Sequence, residues 1–300
     1  MKKVISLLLA LLLCCAPALA SAETVVASFY PIHLFARNLL EGIDSVEVSS
    51  LADPTSGCLH DYQLQTGDMK ALARADVFLI NGAGMEGYLE GVFEAFPTLP
   101  VVDASQGVEL LEDCSDHGHD EDDHDHDHAF NAHIWLDAEN AALMVANLAD
   151  GLIAALPQHE AAIAANRDAY IARLTALDAE LTAALANLPH KDIITFHEAF
   201  PYFANAYGLN VAAVINRDPD DALSPRQLAE LCKTVKALGA PPLFVEPQYE
   251  DMAAKTISRE TGASLYTLDP IVTGPADAPL THYEDVMRQN LNVLLDALGE

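Results

Sequence analysis

The stretch DIITFHEAFPYFANAYGLNVAAVI, residues 192–215, contains the pattern that decides the fold. It begins with the strand-like run 192–196, continues with a helical pattern over 198–207, and ends with a second strand-like run over 211–215. Strand–helix–strand order of this kind predicts a βαβ unit, in which two parallel strands flank a helix. We therefore expect the stretch to belong to a parallel sheet covered by helices.

The same alternation recurs in both halves of the chain. Further strand-like runs lie at 24–29, 46–48, 77–80, 101–102, 243–245 and 265–268, and further helical patterns near 31–41, 66–74, 84–95, 225–238, 250–261 and 283–297. With 51% hydrophobic residues, the 300-residue chain can bury a substantial core in two domains. The predicted fold class is α/β, with two similar parallel-sheet lobes.

A helical connector is predicted between the two halves. Pro157 suits a first helical position, and apolar residues then recur at steps of three and four as far as Leu188. A helix over 157–188 would be about 48 Å long at ~1.5 Å per residue, so it can run along both lobes. A second helix is expected before it, with Asp137 as the N-cap. The predicted organisation is an N-terminal lobe, a connector and a C-terminal lobe, over residues 23–136, 137–188 and 189–300, with a ligand site in the cleft between the lobes.

Residues 1–22 predict a secretory signal peptide. Lys2 and Lys3 precede the apolar run 4–13, and small residues that suit cleavage after Ala20 or Ala22 follow. The run is too short to span a bilayer, so the mature chain is expected in the periplasm. Lipid attachment through a leader cysteine is the alternative, and it is disfavoured because leucine precedes the first of these cysteines.

Charge and cysteine content narrow the class of partner. The formal net charge is −30, and removal of the two leader lysines leaves about −32. This balance suits a cationic ligand and argues against nucleic acid and anionic membrane surfaces. Cys58, Cys114 and Cys232 are odd in number and lack CxxC spacing, so no disulfide framework is predicted, although one pair could bridge.

Metal-capable side chains follow several predicted strands. His60 lies in a turn after the second run, His133 lies in NAHIWLD, and His197 and Asp269 each follow a strand-like run of the second half. Three imidazoles and a carboxylate make a suitable tetrahedral set for Zn²⁺. Each residue also has a structural explanation, since strand-end histidines often form ordinary hydrogen bonds and an aspartate before proline can begin a turn. His33 is assigned to a helix terminus instead.

A histidine- and aspartate-rich tract precedes His133. Its segment HGHDEDDHDHDH, residues 117–128, has no apolar residue, so the loop 112–129 is predicted to be disordered. An unstructured ligand set loses conformational entropy when it binds, so accessory binding of Zn²⁺ in the loop should be weak. The accessory ligands expected there are His117, His119, His124, His126 and His128.

Several motifs occur in collinear order over essentially the whole mature chain. They are FYP (29–31), HDY (60–62), DVFLING (76–82), NAHIWLD (131–137), FHEAFPYF (196–203), EPQ (246–248) and LDP (268–270). Together they resemble the metal-binding solute-binding proteins of bacterial ABC importers, most of all the zinc-specific, ZnuA-like branch. In that family the metal lies between two α/β lobes joined by a long helix.

The resemblance implies a site and a function. The implied metal ligands are His60, His133, His197 and Asp269. Relatives that bind manganese or iron usually carry a carboxylate at the third position, so His197 favours Zn²⁺ over Mn²⁺. The implied function is capture of periplasmic Zn²⁺ and its delivery to an ABC transporter permease in the inner membrane, without catalysis. A monomer is expected.

Departures from the family pattern occur beside two of these ligands. Leu59 and Ala132 stand where proline is frequent, which puts the local turn geometry in doubt. Cys58 could approach the metal, although an exposed or bridged cysteine is the expected state.

Two other functions stay open at the level of sequence. Three histidines with an open position would suit a zinc-dependent hydrolase, with Glu198 as the candidate base, but no HExxH or GxSxG motif occurs. A periplasmic zinc buffer or adhesin that works without a permease is the second alternative.

Overall fold

We analysed a computed structural model of the chain, which describes residues 22–55, 59, 62–112, 130–215, 223–249 and 252–299. Several sequence predictions lie outside these residues: the signal peptide before residue 22, the ligand His60, Cys58, Cys114, and the tract 113–129 with its five histidines.

The N-terminal half forms a four-stranded parallel sheet. Its strands are β1 (Glu23–Ala27), β2 (Val46–Ser50), β3 (Val77–Ile80) and β4 (Val101–Asp103), in the spatial order β2-β1-β3-β4. Helices α1 (Tyr30–Leu39), α2 (Thr66–Leu72) and α3 (Leu89–Ala95) connect them. Successive side chains of a strand point to opposite faces, so Val25 joins the core on the inner face while Val26 joins a smaller cluster with Leu72 and Val92 on the outer face.

The connector consists of two helices, each of which buries an apolar face. Helix α4 (Ala138–Ala155) begins at Asp137, whose carboxylate accepts the Glu139 N–H at 2.8 Å, so the predicted N-cap is confirmed. Helix α5 (Glu160–Leu185) buries the apolar stripe recognised in the sequence. The prediction was wrong at its start, because a 3₁₀ turn over Pro157–His159 precedes the α-helix. Within the described residues no single helix is long and apolar enough to cross a membrane. The pair α4 and α5, bent by 117°, meets the length and composition criteria only when taken together.

The C-terminal half repeats the sheet of the first half. Strands β5 (Asp192–Thr195), β6 (Asn210–Val214), β7 (Leu243–Val245) and β8 (Leu265–Thr267) are parallel, in the order β6-β5-β7-β8. Helices α6 (Pro201–Tyr207), α7 (Pro225–Ala237), α8 (Met252–Thr261) and α9 (His282–Leu298) complete the half. The predicted fold class, two parallel-sheet lobes with a long connecting helix, is confirmed.

Two predicted helices begin later than expected. The helix expected near 198 begins at Pro201, whose fixed backbone suits the first helical position. The helix expected near 84 begins at Leu89, because Ala83 and Gly84 adopt positive φ angles that a helix cannot contain.

One hydrophobic cluster joins both lobes through the connector. Leu174 and Leu181 of α5 belong to the same buried cluster as Val25 of the first sheet and Ile193 of the second. Helix α9 also reaches the N-terminal half, where the ring of Tyr283 lies 5.4 Å from that of Phe35 in α1, and its Glu284 pairs with Arg173 of the connector helix α5 at 2.8 Å. The predicted lobe boundaries at 136 and 189 stay predictions, because packing across them is continuous.

Candidate metal centre

The candidate site lies where the carboxyl ends of strands from both lobes face one another. His197 lies two residues beyond the end of β5, and Asp269 lies two residues beyond the end of β8. His133 lies in the segment that leads from the first lobe into α4 and is followed by a 3₁₀ turn, Ile134–Leu136. In open parallel sheets this edge is where ligands bind.

His133 and His197 meet in the interior. Their Nε2 atoms are 3.3 Å apart, and both side chains are at least 97% buried. Two nitrogen ligands at ~2.0–2.1 Å from Zn²⁺, with a tetrahedral angle of about 109° between them, would be about 3.3 Å apart. The spacing of the two imidazoles therefore fits a shared Zn²⁺.

Asn131 fixes the orientation of the His133 ring. Its Oδ1 accepts the backbone N–H of His133 at 3.0 Å and lies 3.2 Å from the Nδ1 of the same histidine. A carbonyl oxygen can only accept, so Nδ1 carries the hydrogen and the lone pair of a neutral ring lies on Nε2. Asn131 also donates to the carbonyl of Glu198 at 2.7 Å, which ties the His133 segment to the residue after His197.

Trp135 links His133 to the segment that carries Asp269. The indole ring lies 5.1 Å from the His133 ring, and its Nε1–H donates to the Pro270 carbonyl at 2.8 Å. Pro270 directly follows Asp269, so the segments that carry His133 and Asp269 are joined by a buried hydrogen bond. Tyr283 of α9 adds a 2.6 Å hydrogen bond to the carbonyl of Trp135.

Asp269 is held by hydrogen bonds on its backbone and on one carboxylate oxygen. Asn290 of α9 accepts its N–H at 2.9 Å and donates to its carbonyl at 2.7 Å. The Ile271 N–H donates to Oδ1 at 2.8 Å. Burial raises the pKa of the Asp269 carboxyl, and the bond from Ile271 partly offsets that shift.

Glu246 is a buried carboxyl at the same edge that sequence reasoning did not assign to the site. It directly follows β7, the strand between β5 and β8, and is 3% exposed. Its Oε2 accepts a hydrogen bond from Gln248, and no described residue supplies a partner for Oε1. Burial raises its pKa to about 8, and the Asp269 charge adds to the shift. Its position after a strand was the available signal, but EPQ was treated only as a family motif.

Of the four predicted ligands, the structure brings His133 and His197 into direct contact. Within the described residues, no group of three or more His, Cys, Asp and Glu side chains is placed to hold a metal ion. His60 lies outside them, although its neighbour Leu59 is fully buried. The four-residue ligand set therefore stays a proposal.

The remaining candidate residues lie in other surroundings. His33 is in the first turn of α1, where burial lowers its pKa, and it lines a cavity of about 370 Å³ beside Arg37. Glu198 lines a different cavity, of about 410 Å³, at the base of the acidic tract. Cys232 is half-buried on α7 and forms no disulfide with a described residue.

The chain has the architecture of a bilobal solute-binding protein. Two α/β lobes of equal topology are joined by a connecting helix, and a pair of imidazoles lies between them. The model of one family matches residues 25–297, which is most of the 300-residue chain. The chain belongs to that family, ZnuA, described as the periplasmic component A of a zinc-uptake complex.

Individual relatives agree with this membership. The chain is 30% identical to the high-affinity zinc uptake system protein ZnuA of Brucella suis biovar 1, over 93% of this chain and 92% of that protein. It is also 30% identical to the zinc-binding protein AdcA of Streptococcus pyogenes serotype M6, over 90% of this chain, but spans only 55% of that longer relative. A crystal structure of ZnuA superimposes with a TM-score of 0.77 at 27% identity, covering 92% of this chain and 99% of that one.

Proposed function

We propose that the protein captures Zn²⁺ in the periplasm and delivers it to an ABC-type membrane permease for import. The observation that carries the proposal is the buried pair His133 and His197, whose 3.3 Å spacing suits two ligands of one zinc ion. Membership of a family described as zinc-uptake components supports the same function. The protein then acts as a binding protein, not an enzyme.

The full ligand set in this proposal is His60, His133, His197 and Asp269. Neutral imidazoles and one carboxylate suit Zn²⁺ better than harder ions such as Mn²⁺, which prefer more oxygen ligands. The Asn131 bond to His133 is the kind of outer contact that fixes the tautomer of a zinc-binding histidine.

The acidic tract is proposed to bind additional Zn²⁺ weakly. The chain enters and leaves it at Glu112 and Phe130, which form an antiparallel bridge. Asn131, beside the exit, supports His133, so the tract begins and ends next to the proposed site. Its five histidines would then collect zinc close to the tighter site.

The periplasmic location is proposed from the predicted signal peptide, residues 1–22, and from the family. A cleaved signal peptide would release the mature chain into the periplasm, where the permease is reached from outside the inner membrane. A monomer is proposed. No observation on the described residues favours the hydrolase alternative, whereas a buffer or adhesin role differs from import only in its partner.

Zinc titration of the metal-free protein tests the proposal. Wild type should bind one Zn²⁺ tightly, in competition with a chromophoric chelator, and His197→Ala should weaken that site by at least about 100-fold, beyond the 10–100-fold typical of losing an outer contact. His190→Ala, which changes an exposed histidine, is the matched control and should bind as wild type does. Unchanged tight binding in His197→Ala would refute the assigned site, and uptake dependent on a permease would separate import from buffering.

A further inference from the structure

The hydroxyl group of Tyr202 lies between the two chain segments at the base of the acidic tract. Tyr202 is 2% exposed and is in the first turn of α6, in the C-terminal lobe. Its oxygen accepts the backbone N–H of Leu111 at 2.9 Å, and its hydrogen is donated to the backbone carbonyl of Asn131 at 2.9 Å. An amide N–H only donates and a carbonyl only accepts, so the hydroxyl has one role toward each.

Both backbone groups of Asn131 and both polar atoms of its side chain are engaged. The backbone N–H donates to the carbonyl of Leu111 at 2.9 Å, and the backbone carbonyl accepts from Tyr202. Side-chain Nδ2 donates to the Glu198 carbonyl at 2.7 Å, while Oδ1 accepts the His133 N–H at 3.0 Å. Asn131 is 4% exposed, so little water is available to replace a lost partner. Loss of the Tyr202 hydroxyl would leave a buried carbonyl without its donor and allow Asn131 to shift.

The position of Asn131 decides which nitrogen of the His133 ring carries the hydrogen. Its Oδ1 lies 3.2 Å from Nδ1 of His133, at the long end of the range for such a hydrogen bond. The bond holds the hydrogen on Nδ1 and leaves the lone pair on Nε2, which lies 3.3 Å from Nε2 of His197. A small displacement of Asn131 would break this bond. The hydrogen would then be free to occupy Nε2, the nitrogen that must bind Zn²⁺ in the proposed site.

We propose that Tyr202 is a positioning residue for zinc binding, which acts through Asn131 to keep the hydrogen of the His133 ring on Nδ1. The inference rests on the proposed function, in which His133 is a ligand. Tyr202 belongs to the C-terminal lobe, whereas the His133 segment leads out of the N-terminal lobe. The hydroxyl therefore holds this segment against the lobe that carries His197. Both imidazoles are then in place before the metal arrives, which reduces the conformational entropy lost on binding.

The test compares Tyr202→Phe with Tyr207→Phe. Tyr207 is on the same helix and is 4% exposed, and its hydroxyl also forms two hydrogen bonds, from the Ala138 N–H at 3.3 Å and to Oδ1 of Asp178 at 3.2 Å. Each variant keeps the ring and loses one hydroxyl with two hydrogen bonds, so both should unfold at a lower temperature than wild type. The control therefore matches the loss of stability without touching Asn131.

Zinc affinity should separate the two variants. The metal-free full-length proteins are titrated with Zn²⁺ in competition with a chromophoric chelator. Tyr202→Phe should bind about tenfold more weakly than wild type, at the low end of the range for outer contacts, whereas Tyr207→Phe should stay within about threefold. Tyr202→Phe with wild-type affinity would refute the inference. A wild type without tight Zn²⁺ binding would instead overturn the proposed function, and with it the role of Tyr202 in zinc binding.

A double-mutant cycle with Asn131→Ala tests whether Tyr202 acts through Asn131. Asn131→Ala removes the oxygen that contacts the His133 ring, so by itself it should weaken Zn²⁺ binding roughly 10–100-fold. In that background Tyr202→Phe should change the affinity by less than about twofold, because the contact through which it acts is gone. Additive losses would mean that Tyr202 affects the site by another route, and the inference would be wrong.

Nitrogen spectra of the histidine rings supply a readout that a general loss of stability does not change. Long-range ¹H–¹⁵N correlations in the metal-free protein distinguish hydrogen on Nδ1 from hydrogen on Nε2, and His133→Gln identifies the signals of His133. At about pH 8, above the ordinary histidine pKa of ~6.5, wild type and Tyr207→Phe should carry the hydrogen on Nδ1. Tyr202→Phe should show a mixture of the two forms, and an unchanged spectrum would contradict the inference. If the double variant does not fold, this spectrum decides.

Discussion

Each lobe buries a glutamate beyond the carboxyl end of its third strand in sequence. The two carboxyls differ in how many of their oxygens accept a hydrogen bond. In the first lobe Glu86, in the turn after β3, accepts the backbone N–H groups of Asn81 and Gly82 at 2.7 and 3.1 Å, one on each oxygen. In the second lobe Glu246, directly after β7, has a partner on one oxygen and none among the described residues on the other. Equal topology has therefore placed similar groups in unlike surroundings.

The difference indicates which carboxyl is structural. Both are at least 96% buried, and burial raises both pKa values, to about 7 for Glu86 and about 8 for Glu246. Glu86 completes the hydrogen bonds of a turn, which is a sufficient reason for its burial. Glu246 directly follows β7, the strand between β5 and β8, which lead to His197 and Asp269, and a divalent cation bound at the proposed site could supply the missing partner. A buried carboxyl without full hydrogen bonding is costly unless such a partner arrives.

Of the effects that distinguish the two glutamates, the largest is expected on the Zn²⁺ affinity of Glu246→Gln. Loss of a buried negative charge beside a divalent cation should weaken binding by about 10–100-fold, the usual range for a group that supports metal ligands. The metal-free variant should gain stability at pH 8, because it no longer has to bury an ionised carboxylate. A chelator-competition titration and thermal unfolding measure the two effects. Wild-type affinity in Glu246→Gln would make this residue structural, as Glu86 is.

The sequence predicted the sheets and the connector because their signals are local. Apolar runs of strand length, the leucine spacing of α5 and the cap at Asp137 each depend on neighbouring residues. His197 was found in the same way, since it follows a strand directly. The departures from the family pattern at Leu59 and Ala132 were also read from local sequence, because each concerns the conformation of a single turn.

The rest of the site depends on contacts between distant residues. No local pattern indicates that Asn290 bonds the backbone of Asp269, or that an isoleucine at 271 adopts a left-handed conformation. The sequence also gives no sign that Oε1 of Glu246 lacks a partner among the described residues, because that depends on which side chains the fold places around it. Sequence reasoning could place His197 and Asp269 after strands, but it could not identify the residues that orient them.

The next effect should appear in the stability of Glu86→Gln. A glutamine offers one acceptor oxygen to two backbone N–H donors, so one buried hydrogen bond is lost. At pH 5, where burial of the Glu86 charge costs little, the free energy of unfolding should fall by about 1–3 kcal/mol. Zn²⁺ affinity should stay within about threefold of wild type, because Glu86 bonds the backbone of Asn81 and Gly82 and none of the proposed metal ligands. Loss of a group that does support a metal ligand typically weakens binding 10–100-fold. Denaturant unfolding and the same titration measure both. A large loss of Zn²⁺ affinity in a folded Glu86→Gln would mean that the two carboxyls share a role.

The difference that needs the finest measurement lies in the pH dependence of stability in the metal-free protein. Both glutamates lose their protons near the ordinary pKa of 4.5 in the unfolded chain, but near 7 for Glu86 and near 8 for Glu246 in the folded one. The folded state therefore binds more protons between these values, and the free energy of unfolding should fall as pH rises, by at most about 1.4 kcal/mol per pH unit for each group. His33, whose pKa is lowered by burial, acts in the opposite sense but has lost its proton in both states above pH 7.

Between pH 7 and 8 Glu246 should dominate the slope. Glu246→Gln should accordingly remove most of the slope in that interval and Glu86→Gln a smaller part of it, while both variants reduce the slope at lower pH. Denaturant unfolding of the chelator-treated proteins at half-unit steps of pH measures the difference. If the stability curve of Glu86→Gln is as flat as that of Glu246→Gln, the two carboxyls titrate together. Glu246 could then not be distinguished from Glu86 as the carboxyl that interacts with a bound cation.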